Sequence, residues 1–114
     1  MAVTNVKTVT VVIPTGADAP SNEEIDMRSF VSMIVVFPAG WVTSDLVIQS
    51  SDSSLPGGTY GDLKDEGGFL VQIPTAAASE RRLAPADIRD TGFVKLKSVT
   101  TQGANRTLTL ILKQ

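Results

Sequence analysis

Residues 106–113 read Arg106-Thr107-Leu108-Thr109-Leu110-Ile111-Leu112-Lys113, and the alternation in that run decides the fold. In an extended chain Leu108, Leu110 and Leu112 fall on one face, with Thr107, Thr109 and Ile111 on the other. A helix would scatter those leucines around its circumference, so the run predicts a strand. The same period recurs in Phe93–Ser98 (FVKLKS), where Val94 and Leu96 oppose Lys95 and Lys97. It recurs again near the start: Val3–Ile13 (VTNVKTVTVVI) is rich in Val and Thr, with Val9, Val11 and Ile13 in phase. Asp45–Ser50 (DLVIQS) places Leu46 and Ile48 together. Phe30–Phe37 (FVSMIVVF) is the most apolar stretch, and its short length and β-branched content predict a central strand.

Proline supplies the punctuation, because it cannot donate to a central ladder. The pairs Ile13-Pro14, Phe37-Pro38 and Ile73-Pro74 each read as a strand end, the last closing Phe69–Ile73 (FLVQI) after a turn at Gly67-Gly68. Tyr60–Leu63 reads as a short strand, and Pro85–Arg89 as one helical turn with proline at its first position. Thr15–Glu24 (TGADAPSNEE) and Ser51–Gly61 (SDSSLPGGTYG) read as loops. Seven or eight short strands separated by such turns predict an all-β, two-sheet β-sandwich, of which the jelly roll is one form. Residues 1–114 make a single domain, with residues 1–24 an N-terminal strand and loop that either joins the sandwich or extends from it as an arm.

Composition excludes most chemistry. Ten basic and twelve acidic residues give a net charge of -2. The nearest things to a basic stripe, Arg81-Arg82 and Lys95 with Lys97, are too few to compete for phosphates, so no nucleic-acid partner is expected. The chain has no histidine and no cysteine, which removes the commonest general base and the thiolate metal sites together. The first residues lack the basic and apolar segments of a secretory signal, and no apolar run approaches the ~20 residues needed to cross a bilayer. No membrane partner is expected. Ser50, Ser51, Ser53 and Ser54 have no histidine to activate them, and the glycines lack the Lys-Ser/Thr of a phosphate-binding loop. The acidic group Asp62, Asp65 and Glu66, with Asp52 before it, lacks the alternating spacing of a calcium loop and reads as a solvated turn. No enzyme activity, metal or cofactor is expected. Trp41, alone of its kind, is either a rim aromatic that stacks on sugars or a plug whose N–H meets a backbone carbonyl; scarcity of aromatics favours the plug.

Some apolar residues have no place in the core. Along Phe30–Phe37 the set Val31, Met33, Val35 and Phe37 faces inward, which leaves Ile34 and Val36 on the opposite face. Ile111 likewise opposes the Leu108/Leu110/Leu112 face. A sandwich normally keeps its outer face polar, so Ile34, Val36 and Ile111 are the candidate interface residues. The alternative is that Thr15–Glu24 folds over them.

Trp41-x-x-x-Asp45-Leu46-x-Ile48-Gln49-x-Ser51, Tyr60-x-Asp62-Leu63-x-Asp65-Glu66-Gly67, Leu83-x-Pro85, Phe93–Ser98 and Arg106–Leu110 together resemble small β-sandwich proteins of tailed bacteriophages. Some of those proteins decorate or cement the capsid, and the layout is also similar to the discoidin-like jelly roll of carbohydrate-binding modules. The resemblance implies a virion protein, assembled in the host cytoplasm, that binds the major capsid protein as a homo-oligomer. A trimer is favoured because decoration proteins commonly occupy local threefold positions. The alternative it implies is a carbohydrate-binding or receptor-contact module of the particle, which calls for an exposed Trp41.

Overall fold

The structure is a computed structural model that describes residues 5–16, 19–89 and 91–114. Among these residues nine strands form in chain order: β1 (Val6–Ile13), β2 (Ile25–Asp26), β3 (Ser32–Val36), β4 (Ser44–Ser51), β5 (Tyr60–Asp62), β6 (Gln72–Ala76), β7 (Arg81–Leu83), β8 (Phe93–Ser98) and β9 (Arg106–Lys113). Among the described residues the single helical element is a 3-10 turn at Ala86–Ile88, flanked by Pro85 and Arg89, where the sequence places it. No helix among the described residues is long and apolar enough to cross a membrane.

Two antiparallel sheets face each other. Sheet A runs β1-β9-β3-β7, and sheet B runs β2-β8-β4-β5, with β6 also on β4. Strands β5 and β6 share one side of β4 at opposite ends, β5 along Gln49–Ser51 and β6 along Ser44–Val47. Apart from the β4-β5-β6 run, every connection crosses from one sheet to the other. This is the all-β two-sheet sandwich that the alternating runs predict.

The core is what the alternation selects. Leu108, Leu110 and Leu112 of β9 meet Met33 and Val35 of β3 and Val11 and Ile13 of β1 from sheet A. Leu46 and Ile48 of β4 with Val94 and Leu96 of β8 close on them from sheet B. Each of these side chains is nearly inaccessible, worth about 1.5–3 kcal/mol apiece in surface removed from water.

Three expectations need correction. Pro74 does not end a strand: it lies inside β6, next to a register shift between Ser44 and Leu46. An edge strand tolerates proline because one side of it needs no donors. Phe69 is not in a strand and is 73% exposed, since the turn after Asp65 turns it to the outside. Val31 precedes β3 and is half-exposed rather than core. Of the two placements offered for the N-terminal segment, its strand takes the one within the sandwich, for β1 pairs with β9 from Val6 to Ile13. Residues 1–4, including the Val3 start expected for this strand, lie outside the described set. The two strands that sequence periodicity misses, β2 and β7, are two and three residues long, too short to display any period.

Candidate interaction surface

Three places on the molecule concentrate functional side chains: the outer face of sheet A, the outer face of sheet B, and the end where Trp41 sits. At that end Trp41 is 3% exposed. Its Nε1–H donates to the carbonyl of Ala76 at 3.2 Å, and its ring tilts against Phe37 at 5.1 Å between centroids. Trp41 is therefore the plug that its position after Pro38-Ala39-Gly40 suggests, and it is closed to a stacked sugar.

Beside it lies a buried polar cluster that sequence reasoning missed. Gln102 accepts from Val42 N–H at 2.7 Å through Oε1 and donates to Val42 O at 2.9 Å through Nε2. Ser98 donates to the carbonyl of Thr100, and the hydroxyl of Ser44 accepts from Thr100 N–H at 2.8 Å. These residues do for two loops what a ladder does for strands. No signal short of the fold itself marks them, because Ser and Gln are ordinarily solvated.

Sheet B presents a polar outer face whose charges are already partnered. Asp62 meets Lys97 at 3.0 Å and accepts from Gln49 Nε2 at 3.0 Å; the Gln49 hydrogen bond first, and Lys97 next, hold its carboxyl below the usual carboxylate range. Arg28 lies 4.7 Å over the ring of Phe93 and pairs with Asp26, which covers an outward-facing aromatic. Tyr60 donates its hydroxyl to Glu24, and Lys95 sits 4.9 Å over its ring. Burial, then the Glu24 carboxylate, pushes the Tyr60 phenol upward.

The acidic turn resolves the same way. Asp65 Oδ1 accepts from the N–H groups of Gly67 and Phe69, and Asp52 Oδ1 from that of Thr59. These carboxylates shape turns. Among the described residues no three acidic side chains converge on a point that could hold a cation.

The outer face of sheet A differs from both. Strand register sets Thr8, Ile111, Ile34 and Leu83 in one line across all four strands. The next line runs Thr10, Thr109, Val36 and Arg81. The sequence-derived residues Ile34, Val36 and Ile111 are thus neighbours, each partly buried. The structure adds Leu83, 68% exposed, which periodicity could not find on a three-residue strand. The Thr15–Glu24 segment does not lie over them where it is described: Ser21 N–H donates to Leu96 O, and Pro20 bridges to Lys97 on β8. All five charged residues in the strands of sheet A are basic, namely Lys7, Arg81, Arg82, Arg106 and Lys113. The strands of sheet B carry Asp26, Asp45 and Asp62 beside Lys95 and Lys97.

Fold and surface together define a β-sandwich with one apolar outer face bordered by Arg81 and Lys113. No protein-family model matches the chain, and no curated protein matches it. Its fold is shared with a solved structure, the SPBc2 prophage-derived protein YomS, at TM-score 0.64 and 13% identity over 100% of this chain and 97% of that one.

Proposed function

We propose that the chain is a structural protein of a phage particle, one that decorates or cements the head and docks through the outer face of sheet A. The observation that carries this reading is the Ile111–Ile34–Leu83 line with Val36 beside it, an apolar stripe on a face where a sandwich is normally polar. Arg81 and Lys113 adjoin it, so the complementary surface is apolar with a carboxylate rim, the arrangement of an ordinary interface core and border. The prophage origin of the structurally similar protein supports a phage setting. The strand order supports a jelly roll, the architecture of many viral capsid domains. Its major partner is then the capsid protein, with further copies of the chain beside it, and its place is the virion. The sugar-binding alternative calls for an exposed Trp41, and the burial of Trp41 speaks against it.

Quantitative mass spectrometry of purified particles of the encoding phage tests the reading. The chain is expected at a copy number commensurate with the capsid protein. Its absence from particles, with abundance in the infected cell, would reject a structural role.

A further inference from the structure

The edges of the two sheets are not equally protected. Sheet B ends in the two-residue β2 on one side and in β5 and the proline-bearing β6 on the other. Sheet A ends in the three-residue β7 and in β1, which has eight residues and no proline, glycine or acidic side chain. Long regular edges invite another strand, and proteins usually blunt them.

Hydrogen bonds fix which groups of β1 point outward. Asn5 O accepts from Gln114 N–H at 3.1 Å, so the odd-numbered residues of this segment face β9. Val12 points the other way: its N–H donates to Glu23 Oε1 at 2.9 Å, and its carbonyl accepts from Asn22 N–H at 3.1 Å. By the same alternation the N–H and C=O groups of Val6, Thr8 and Thr10 also point outward. Among the described residues nothing pairs with them. Among the described residues one position of this edge is thus capped, and three in succession are open.

Those three are self-complementary. Antiparallel pairing about Thr8 sets Thr8 opposite Thr8 of a second copy and Val6 opposite Thr10, with every outward donor meeting an acceptor. Lys7, the one charge on the strand, falls opposite Val9 and not opposite its own counterpart. Threonine pairs and Val–Thr pairs are favourable cross-strand neighbours. We infer that β1 pairs edge to edge with β1 of a second copy about a two-fold axis at Thr8, joining the two copies of sheet A into one eight-stranded sheet. That size is within the range of twisted open sheets. The joined sheet brings both Ile111–Ile34–Leu83 lines onto the same side. The contact is small, so the dimer dissociates in the micromolar range.

Sedimentation equilibrium of the full chain across the micromolar range tests this without any phage component, so its failure is separate from a failure to bind heads. A monomer–dimer equilibrium is expected for the wild type. Thr8→Pro removes the outward N–H that the pairing needs, at an edge position where proline is tolerated, and should give a folded monomer by circular dichroism. Thr8→Lys and Thr8→Glu each place like charges opposite one another and should weaken self-association by about five-fold. Mixing those two variants should restore the dimer. A wild type that stays monomeric, a trimer, a Thr8→Pro variant that still dimerises, or a Lys/Glu mixture no tighter than either variant alone would each overturn the inference.

Discussion

Thr75 is held at φ 46°, the left-handed region that a β-branched residue avoids. It follows Pro74 inside β6, and its N–H donates to Asp45 Oδ1 at 2.6 Å. The aspartate thus secures a strained turn at the irregular end of the β4–β6 ladder. Replacing Thr75 with glycine relieves the strain, partly offset by the freedom glycine gains when unfolded. The net expectation is a stabilisation of a few tenths to about 1 kcal/mol, read as a raised thermal midpoint. Tyr60 and Asp62 carry the pH dependence of the sheet B face. The Tyr60 pKa is raised above its ordinary 10.0, so the stabilisation it provides is complete below pH 10.0 and declines as pH rises through the folded value. Ultraviolet titration should show the phenol ionising above pH 10.0, and Glu24→Gln should bring it down. Asp62 runs the opposite way. Its lowered pKa makes its contribution present above the ordinary 3.8 and lost as pH falls through the folded value. Asp62→Asn should cost up to about 1 kcal/mol at neutral pH in low salt, about the size that partly exposed pairs reach, and progressively less by chemical denaturation as pH falls through the folded value. Trp41 was legible at this scale because a lone aromatic just past a central strand has a core to enter. Gln102 was not, since the backbone it clamps, that of Val42, comes from a distant part of the sequence.

At the scale of elements, strands with at least two inward apolar residues could be read directly. β9, β8, β3 and β4 all lie where period two puts them, and their inward apolar residues are buried in the core. Leu110→Ala should therefore cost about 2–5 kcal/mol by denaturant unfolding, a large part of a total near 5–15 kcal/mol. Reading failed where an element is defined by its neighbour. β2 exists because Ile25 and Asp26 lie along Val94 and Phe93, and β7 because Arg81–Leu83 lie along Ile34–Val36. Pro74 misled for a related reason. Its rule holds for central strands, and nothing in the sequence says that β6 is an edge.

For the whole molecule, the decisive property is asymmetry between the sheets. Sheet A is apolar and basic on its outer face, while sheet B has its charges paired and Phe93 covered. Ile34, Val36 and Ile111 were legible as misplaced apolar residues. Their assembly with Leu83 into one line was not, because register between β9, β3 and β7 is a tertiary fact. Since Ile34 and Val36 lie on the outer face and outside the core, replacing both with Asp should leave the fold intact at a cost of about 1–2 kcal/mol in strand preference. Core residues would not tolerate two unpaired buried charges. Co-sedimentation of wild-type protein and the Ile34→Asp/Val36→Asp variant with purified phage heads tests the central claim most directly. The account predicts that the wild type pellets with heads, whereas the variant, folded by circular dichroism, stays in the supernatant. A wild type that ignores heads, or a folded double variant that binds them as well as the wild type, would contradict it.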